Sequence, residues 1–437
     1  MQARELSADL YRVVAVTLVV IGHWLVSAVT YQDGRFGNDY PLDILPWTQW
    51  LTLVFQVVPV FFLVGGYASA TSWAHWQEAG GLRRTEWVRR RLGVILGPTA
   101  VYVITALVVV AALVLADVGR SPLAFGGWAV AMHLWFVPVY LVVVALTPAA
   151  MTAHGRWGLL VPVVLALAVA VVDVAARITD VAGLGAVNYV LCWAAVYQLG
   201  ICWRGGALRG RRPVVLAVAS AVVLAILLGL RCYPISMVGA PGATAQNNFP
   251  PNVALLAFSA AQAGFLVTVA PAVTRRLARS RVRRPLAAAN RKVMALYLWQ
   301  MVPVVVVALV AYPAGLLPQP EPGTGTWWLF RLVWLAILSV VAAGELALVG
   351  LARPVTNRAL PTTVIRLPSW CAAPLLVVGI VTATMALAGL AVYGFAPAGR
   401  FPTVEALLLA AGIGLLSLTT LAPQGLSSPQ SQSPSRY

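Results

Sequence analysis

Apolar residues run along this chain in long stretches, many of them near twenty residues, separated by short polar or charged connections. A helix needs about 20 apolar residues to cross a hydrocarbon layer of roughly 30 Å. Twelve such segments can be drawn, at about 12–30, 47–73, 92–116, 126–150, 158–174, 187–203, 213–231, 250–271, 292–312, 327–351, 369–392 and 402–421. The pattern predicts an all-α, polytopic transmembrane helix bundle of about 12 helices (10–12) over residues 1–421. Residues 422–437, rich in Ser, Pro and Gln, are expected to form a disordered cytoplasmic tail. The first apolar stretch, Val13 to Thr30, is too long for a signal-peptide core and lacks a cleavage site, so it reads as a first membrane helix.

Composition agrees with the pattern. Of 437 residues, 60% are hydrophobic and only 10% charged, where soluble domains carry about 25% charged residues. Soluble, disordered, coiled-coil and disulfide-scaffold classes are excluded. The net charge of +17 would point to nucleic acid in a soluble protein, but here it reports topology, because Lys and Arg gather in cytoplasmic loops. With a cytoplasmic N-terminus, all but six of the 30 Lys and Arg residues fall on the inner side. The exceptions are Arg35, Arg120, Arg177, Arg231 and Arg400 outside and Arg331 within a helix end. Both termini are therefore expected inside, in a multi-pass membrane protein, with the bilayer and not nucleic acid as partner. Trp47, Trp50, Trp128, Trp327 and Trp328 fall where interfacial aromatics belong, and Arg331 is expected to snorkel outward.

The four cysteines (Cys192, Cys202, Cys232 and Cys371) show no metal or redox spacing, and no metal site is expected. Ionisable groups inside a membrane are costly and hence candidate sites. They are few: His23, His133, Glu345 and, at the membrane edge, Asp9 and Arg12. Asp9 and Arg12 are three apart on one helix face. His23 lies eleven residues beyond Arg12 on nearly the same face, about 16 Å deeper. His133, in the fourth segment, and Gln300, in the ninth, should reach a similar depth. Trp135, Tyr297 and Trp299 flank them as packing or as site walls. The basic loops Arg83–Arg91 and Arg275–Lys292 read either as topology and lipid anchors or as a funnel for a phosphorylated cytosolic ligand.

Together these residues resemble the acyltransferase 3 family of integral membrane acyltransferases, in its actinobacterial form. Asp9, Arg12 and His23 match the family's first-helix spacing of Asp, two residues, Arg, ten residues, His. Phe61-Phe62-Leu63-Val64-Gly65-Gly66-Tyr67 resembles its helix-two element, with Gly65 at the usual Ser. His133-Leu134-Trp135-Phe136 resembles the helix-four signature, and Leu296-Tyr297-Leu298-Trp299-Gln300 the Leu-Tyr-Leu-Trp-His element with Gln300 at the His. Asn247-Asn248-Phe249-Pro250-Pro251 resembles an outer-loop Asn-x-x-Pro-Pro element. Arg89, Arg90 and Arg91 form a block where the family spaces two arginines, and Ala352-Arg353-Pro354 lacks the acid of its Glu-Arg-Pro element.

The resemblance implies transfer of an acyl group, acetyl being the expected one, from cytosolic acyl-CoA to a hydroxyl of an extracytoplasmic glycan or glycolipid. His23 would be the general base or a transient acyl carrier. Arg12 would organise its surroundings through Asp9 or hold donor phosphates, with Arg89, Arg90 and Arg91 on the donor. His133, Trp135, Tyr297, Trp299, Gln300 and Asn248 would shape the acceptor side. The competing reading is a transporter or flippase of a glycan or lipid intermediate, which twelve helices would fit by number.

Overall fold

The computed structural model describes residues 5–420 except 82, 180, 240–245, 280, 353–357, 362, 366 and 367. The tail at 422–437, Arg353 and Pro354 therefore lie outside the described residues. Eleven described helices are long and apolar enough to cross a membrane. The chain starts on one side with α1 (Leu6–Val26), whose 21 residues cover about 31 Å. It returns through α2 (Val58–Glu78) and rises again in α3 (Arg84–Leu115). A broken pair, α4 (Arg120–Ala131) and α5 (Phe136–Ala145), makes the fourth crossing. A separate helix, α6 (Thr147–Trp157), follows where the hydrophobic pattern predicts no element of its own.

Four further crossings are α7 (Leu160–Ile178), α8 (Asn188–Arg204), α9 (Arg212–Gly229) and α10 (Val253–Arg279). The short α11 (Arg283–Asn290) then lies on the N-terminal side, burying Leu286 and exposing Arg283 and Arg284. A second broken pair, α12 (Val293–Trp299) and α13 (Val302–Ala311), precedes α14 (Gly325–Leu351) and α15 (Ala372–Tyr393).

A twelfth apolar helix, α16 (Thr403–Ser417), has only 15 residues, or about 22 Å, short of a bilayer core. Three extended residues, Leu418–Thr420, continue it and pair in parallel with Thr363–Ile365 from the connection before α15. That pairing returns the chain to the side from which α15 left.

Both broken crossings have the same local cause. Pro138, third in α5, lacks the N–H that a continuous helix would direct at Leu134, and a 3₁₀ turn, Met132–Trp135, takes up the break. Pro303, second in α13, leaves Trp299 without its helical donor in the same way. Backbone groups at a break inside a membrane need partners, and beside each break a side chain supplies one to a neighbouring carbonyl. The Tyr297 hydroxyl donates to the His133 carbonyl (2.5 Å), and Trp24 Nε1 donates to the Gln300 carbonyl (2.7 Å).

Elsewhere small residues let helices touch backbone to backbone. A Cβ on Gly66 would strike the Tyr197 carbonyl, and one on Gly200 the Leu63 carbonyl, so α2 and α8 meet where neither has a side chain. Gly65 has a comparable role: a Cβ there would lie 2.6 Å from the Tyr140 hydroxyl, so the usual Ser would displace that ring.

On the side opposite the N-terminus a hairpin, Val29–Gln32 with Arg35–Asn38, turns at Asp33 and Gly34, both at positive φ. Gln319 grips it through both Tyr31 backbone groups (2.7 and 2.9 Å). Asp173 accepts from the Tyr233 hydroxyl (2.6 Å), Arg177 Nε (3.1 Å) and the Val253 N–H (3.1 Å), fastening the far-side loop to the start of α10.

Candidate active site

A cavity of about 680 Å³ runs through the bundle. At its N-terminal-side end it is lined by Arg12, Asn290, Val293 and Met294; midway by His23, His133, Tyr297 and Phe136; at the far end by Tyr40, Trp128, Gln246, Asn248, Trp327 and Arg331. One helix therefore gives the cavity Arg12 near its start and His23 near its end, as their shared face predicts.

His23 is held in one orientation. Its Nδ1 meets Gln300 Oε1 at 3.1 Å. Gln300 Nε2 donates to the Tyr297 carbonyl at 3.0 Å. A carbonyl can only accept, so the amide nitrogen must face Tyr297 and the amide oxygen must face His23. The proton in that bond then sits on His23 Nδ1, and Nε2 carries the free lone pair. Gln300 is 1% exposed, and its backbone carbonyl accepts from Trp24. The Trp24 carbonyl in turn accepts from Trp334 Nε1 (3.2 Å), and Ser27 returns its hydroxyl to the His23 carbonyl (2.7 Å). Two helices and a helix break thus fix one imidazole.

His133, 2% exposed, lies within electrostatic reach of His23. The Leu298 backbone is beside its ring, yet neither ring nitrogen closes a hydrogen bond of normal geometry. Tyr297 packs edge-on against the same ring, centroids 5.4 Å apart. Asn290, the last residue of α11, bridges the N-terminal-side end: its Nδ2 donates to Asp9 Oδ1 (2.8 Å), and Arg12 donates to its Oδ1 (3.4 Å). At the far mouth, burial holds the Tyr40 hydroxyl above its ordinary range, so it meets a ligand as a neutral group. Asn248 lines that mouth with its Oδ1 buried and without a hydrogen bond.

Not every residue singled out from the sequence converges here. Trp135 joins the cavity wall, but Trp299 does not; it packs edge-on to Tyr102 with centroids 5.2 Å apart. Gln300 reaches the cavity only through His23. Arg89, Arg90 and Arg91 are not among the lining residues. Arg89 is 8% exposed, Arg90 pairs with Glu86 (2.6 Å) and lies over Trp76, and Arg91 Nε is buried without a partner. Glu345 is also off the cavity, with a buried and unbonded Oε1.

Two expectations are overturned. Arg331 does not snorkel outward: it is 3% exposed and lines the cavity. It sits two turns into α14, on the face turned towards the end of α1, where its NH1 donates to the Ser27 carbonyl (3.1 Å). Trp327, expected at the interface, is likewise 3% exposed and packs beneath that guanidinium. The signal for this inward face was present in the chain, as Trp327, Arg331 and Trp334 recur at helical spacing. Nothing comparable marked Asn290. Among the described residues, no group of three or more His, Cys, Asp or Glu could hold a metal ion.

The family model described as an acyltransferase domain matches residues 5–350 of the chain. No curated protein and no solved structure gives a match.

Proposed function

The chain belongs to the acyltransferase 3 family of membrane acyltransferases, and from that premise we propose that it moves an acyl group, acetyl by preference, from acyl-CoA to an acceptor hydroxyl across the membrane. The donor enters at the arginine-rich, cytoplasmic side, and the acceptor, an envelope glycan or glycolipid, at the opposite side. The observation that carries this reading is His23: an imidazole fixed through Nδ1, with Nε2 free, on a cavity lined from Arg12 to the far-side loops.

The chemistry follows from that imidazole. A hydroxyl is a weak nucleophile at neutral pH, and a positioned base contributes about 10²–10⁴-fold. His23 Nε2 takes the acceptor's proton as its oxygen attacks the thioester carbonyl. The C–S bond breaks, the ester remains on the acceptor, and the imidazolium returns the proton to the leaving thiolate. The bond to Gln300 keeps Nδ1 protonated throughout, so the same nitrogen both accepts and returns the proton. Arg12, beside Asn290, meets the donor's phosphates at the inner mouth, since a guanidinium suits phosphate oxygens. The far-side aromatic residues suit the flat apolar faces of a sugar.

The test is purified protein in nanodiscs with radiolabelled acetyl-CoA and a glycan acceptor. Label should pass to the acceptor in the native protein and fail to do so in His23→Ala that still inserts. Transfer retained by His23→Ala would remove the base assignment, and uptake of glycan by proteoliposomes without donor consumption would favour a transporter.

A further inference from the structure

Arg331 is the cation that the acyl-transfer chemistry does not use. It is 3% exposed at the far-side half of the cavity. Its guanidinium carbon lies 5.0 Å from the centre of the Trp327 ring, 5.4 Å from Phe330 and 5.9 Å from Trp334. NH1 is spent on the Ser27 carbonyl, while Nε is buried without a partner. The ion pairs seen among the described residues join other groups, and none gives Arg331 a carboxylate. Aromatic faces, the Tyr312 hydroxyl beside it and one carbonyl at the end of α1 offset part of a buried positive charge. They leave most of its five donors without a matching anion.

A cation kept in a membrane cavity without a carboxylate partner is a candidate binding site. We infer that Arg331 is a specificity determinant for an anionic acceptor, recognising a carboxylate or phosphate on the molecule whose hydroxyl is acylated. The geometry supports the pairing. The carbonyl of Ser27, which Arg331 grips, belongs to the residue four beyond His23, so the guanidinium sits about one turn of α1 above the imidazole. An acceptor with its hydroxyl at His23 Nε2 would place a charged group one sugar ring's width away at Arg331. Trp327, Trp328 and Trp128 line the same half and give it aromatic walls. Oriented guanidinium donors match both carboxylate and phosphate oxygens, so the shared chemistry is an anionic oxygen group.

The inference rests on the acyl-transfer reading only for the hydroxyl at His23; anion binding itself can be read without any turnover. Two tryptophans near the guanidinium, Trp327 and Trp334, supply a fluorescence signal. Titration of the native protein in detergent with glucuronate and with glucose 6-phosphate should change tryptophan emission at concentrations where glucose does not. A response to glucuronate assigns a carboxylate, and one to the phosphate assigns a phosphate. An equal response to glucose, or none to either anion, overturns the inference while leaving the acyl-transfer reading intact. In the transfer assay, acceptors matched as a uronic-acid glycan and its carboxyl-reduced form should differ in kcat/KM by about tenfold or more. Arg331→Gln should bring that ratio near one, and Arg331→Lys should keep part of it. A ratio near one in the native protein, or one unchanged in Arg331→Gln, contradicts the assignment.

Discussion

The two ends of the cavity each carry one arginine, and they treat it differently. At the inner end Arg12 is tied through Asn290 to Asp9, so the cation arrives with its counter-charge and a neutral bridge already in place. At the outer end Arg331 is buried among aromatic rings, without a carboxylate among its described partners. Burying an arginine in a membrane protein is costly, and the outer site leaves that cost only partly offset. The contrast teaches that the inner end is organised before any ligand comes, whereas the outer end is completed by what binds there. His23 stands between them and belongs to neither, because its fixed partner comes from a helix break.

The sharpest way to test that division starts at the middle. His23→Ala should lower acyl transfer by about 10²–10⁴-fold, the usual worth of a general base. The loss should be equal for every donor and acceptor, measured as initial rates of product formation. Next in size, Arg12→Gln should raise the donor KM by about tenfold or more, the weight of a charge-assisted hydrogen bond. The acceptor KM should stay put; a matching rise in both would erase the distinction between the ends.

Gln300→Leu removes the bond that holds Nδ1 and so lets the other tautomer compete. A fall in kcat of up to about tenfold is expected, from the net worth of one hydrogen bond, with little change in either KM. Gln300→His should restore most of the rate, since a ring nitrogen can accept the same bond. The smallest effect belongs to Asn290→Ala, a few-fold rise in donor KM with no change in discrimination between acceptors. A change in acceptor choice from this inner substitution would show that the two ends are coupled.

Much of this was legible along the chain because it follows from helix periodicity. Asp9, Arg12 and His23 lie on one helix, and an interval of three turns fixes their shared face whatever surrounds them. His133 and Gln300 could be placed at the depth of His23 by counting residues from the ends of their segments. What could not be read was direction at a break. Trp299 and Gln300 are neighbours, yet one packs on Tyr102 and the other on His23. Successive helical side chains differ by about 100°, and Pro303 ends the helix at that point.

Arg331 shows the same limit from another side. Its depth allows snorkelling, and only the position of α1 across from it decides that it turns inward. Asn290 closes a helix of eight residues that the hydrophobic pattern does not predict, since Leu286 is its one buried residue. The block at Arg89–Arg91 teaches the converse: three adjacent arginines on a helix point three ways, and their charge says little about a common ligand.

The claim on which the account turns is that one imidazole is reached from both faces of the membrane. Sealed proteoliposomes of uniform orientation test it, with radiolabelled acetyl-CoA confined to the arginine-rich face and a glycan acceptor to the other. The account predicts labelled acceptor on the face opposite the donor, lost in His23→Ala. Label appearing only when donor and acceptor share one face would contradict it.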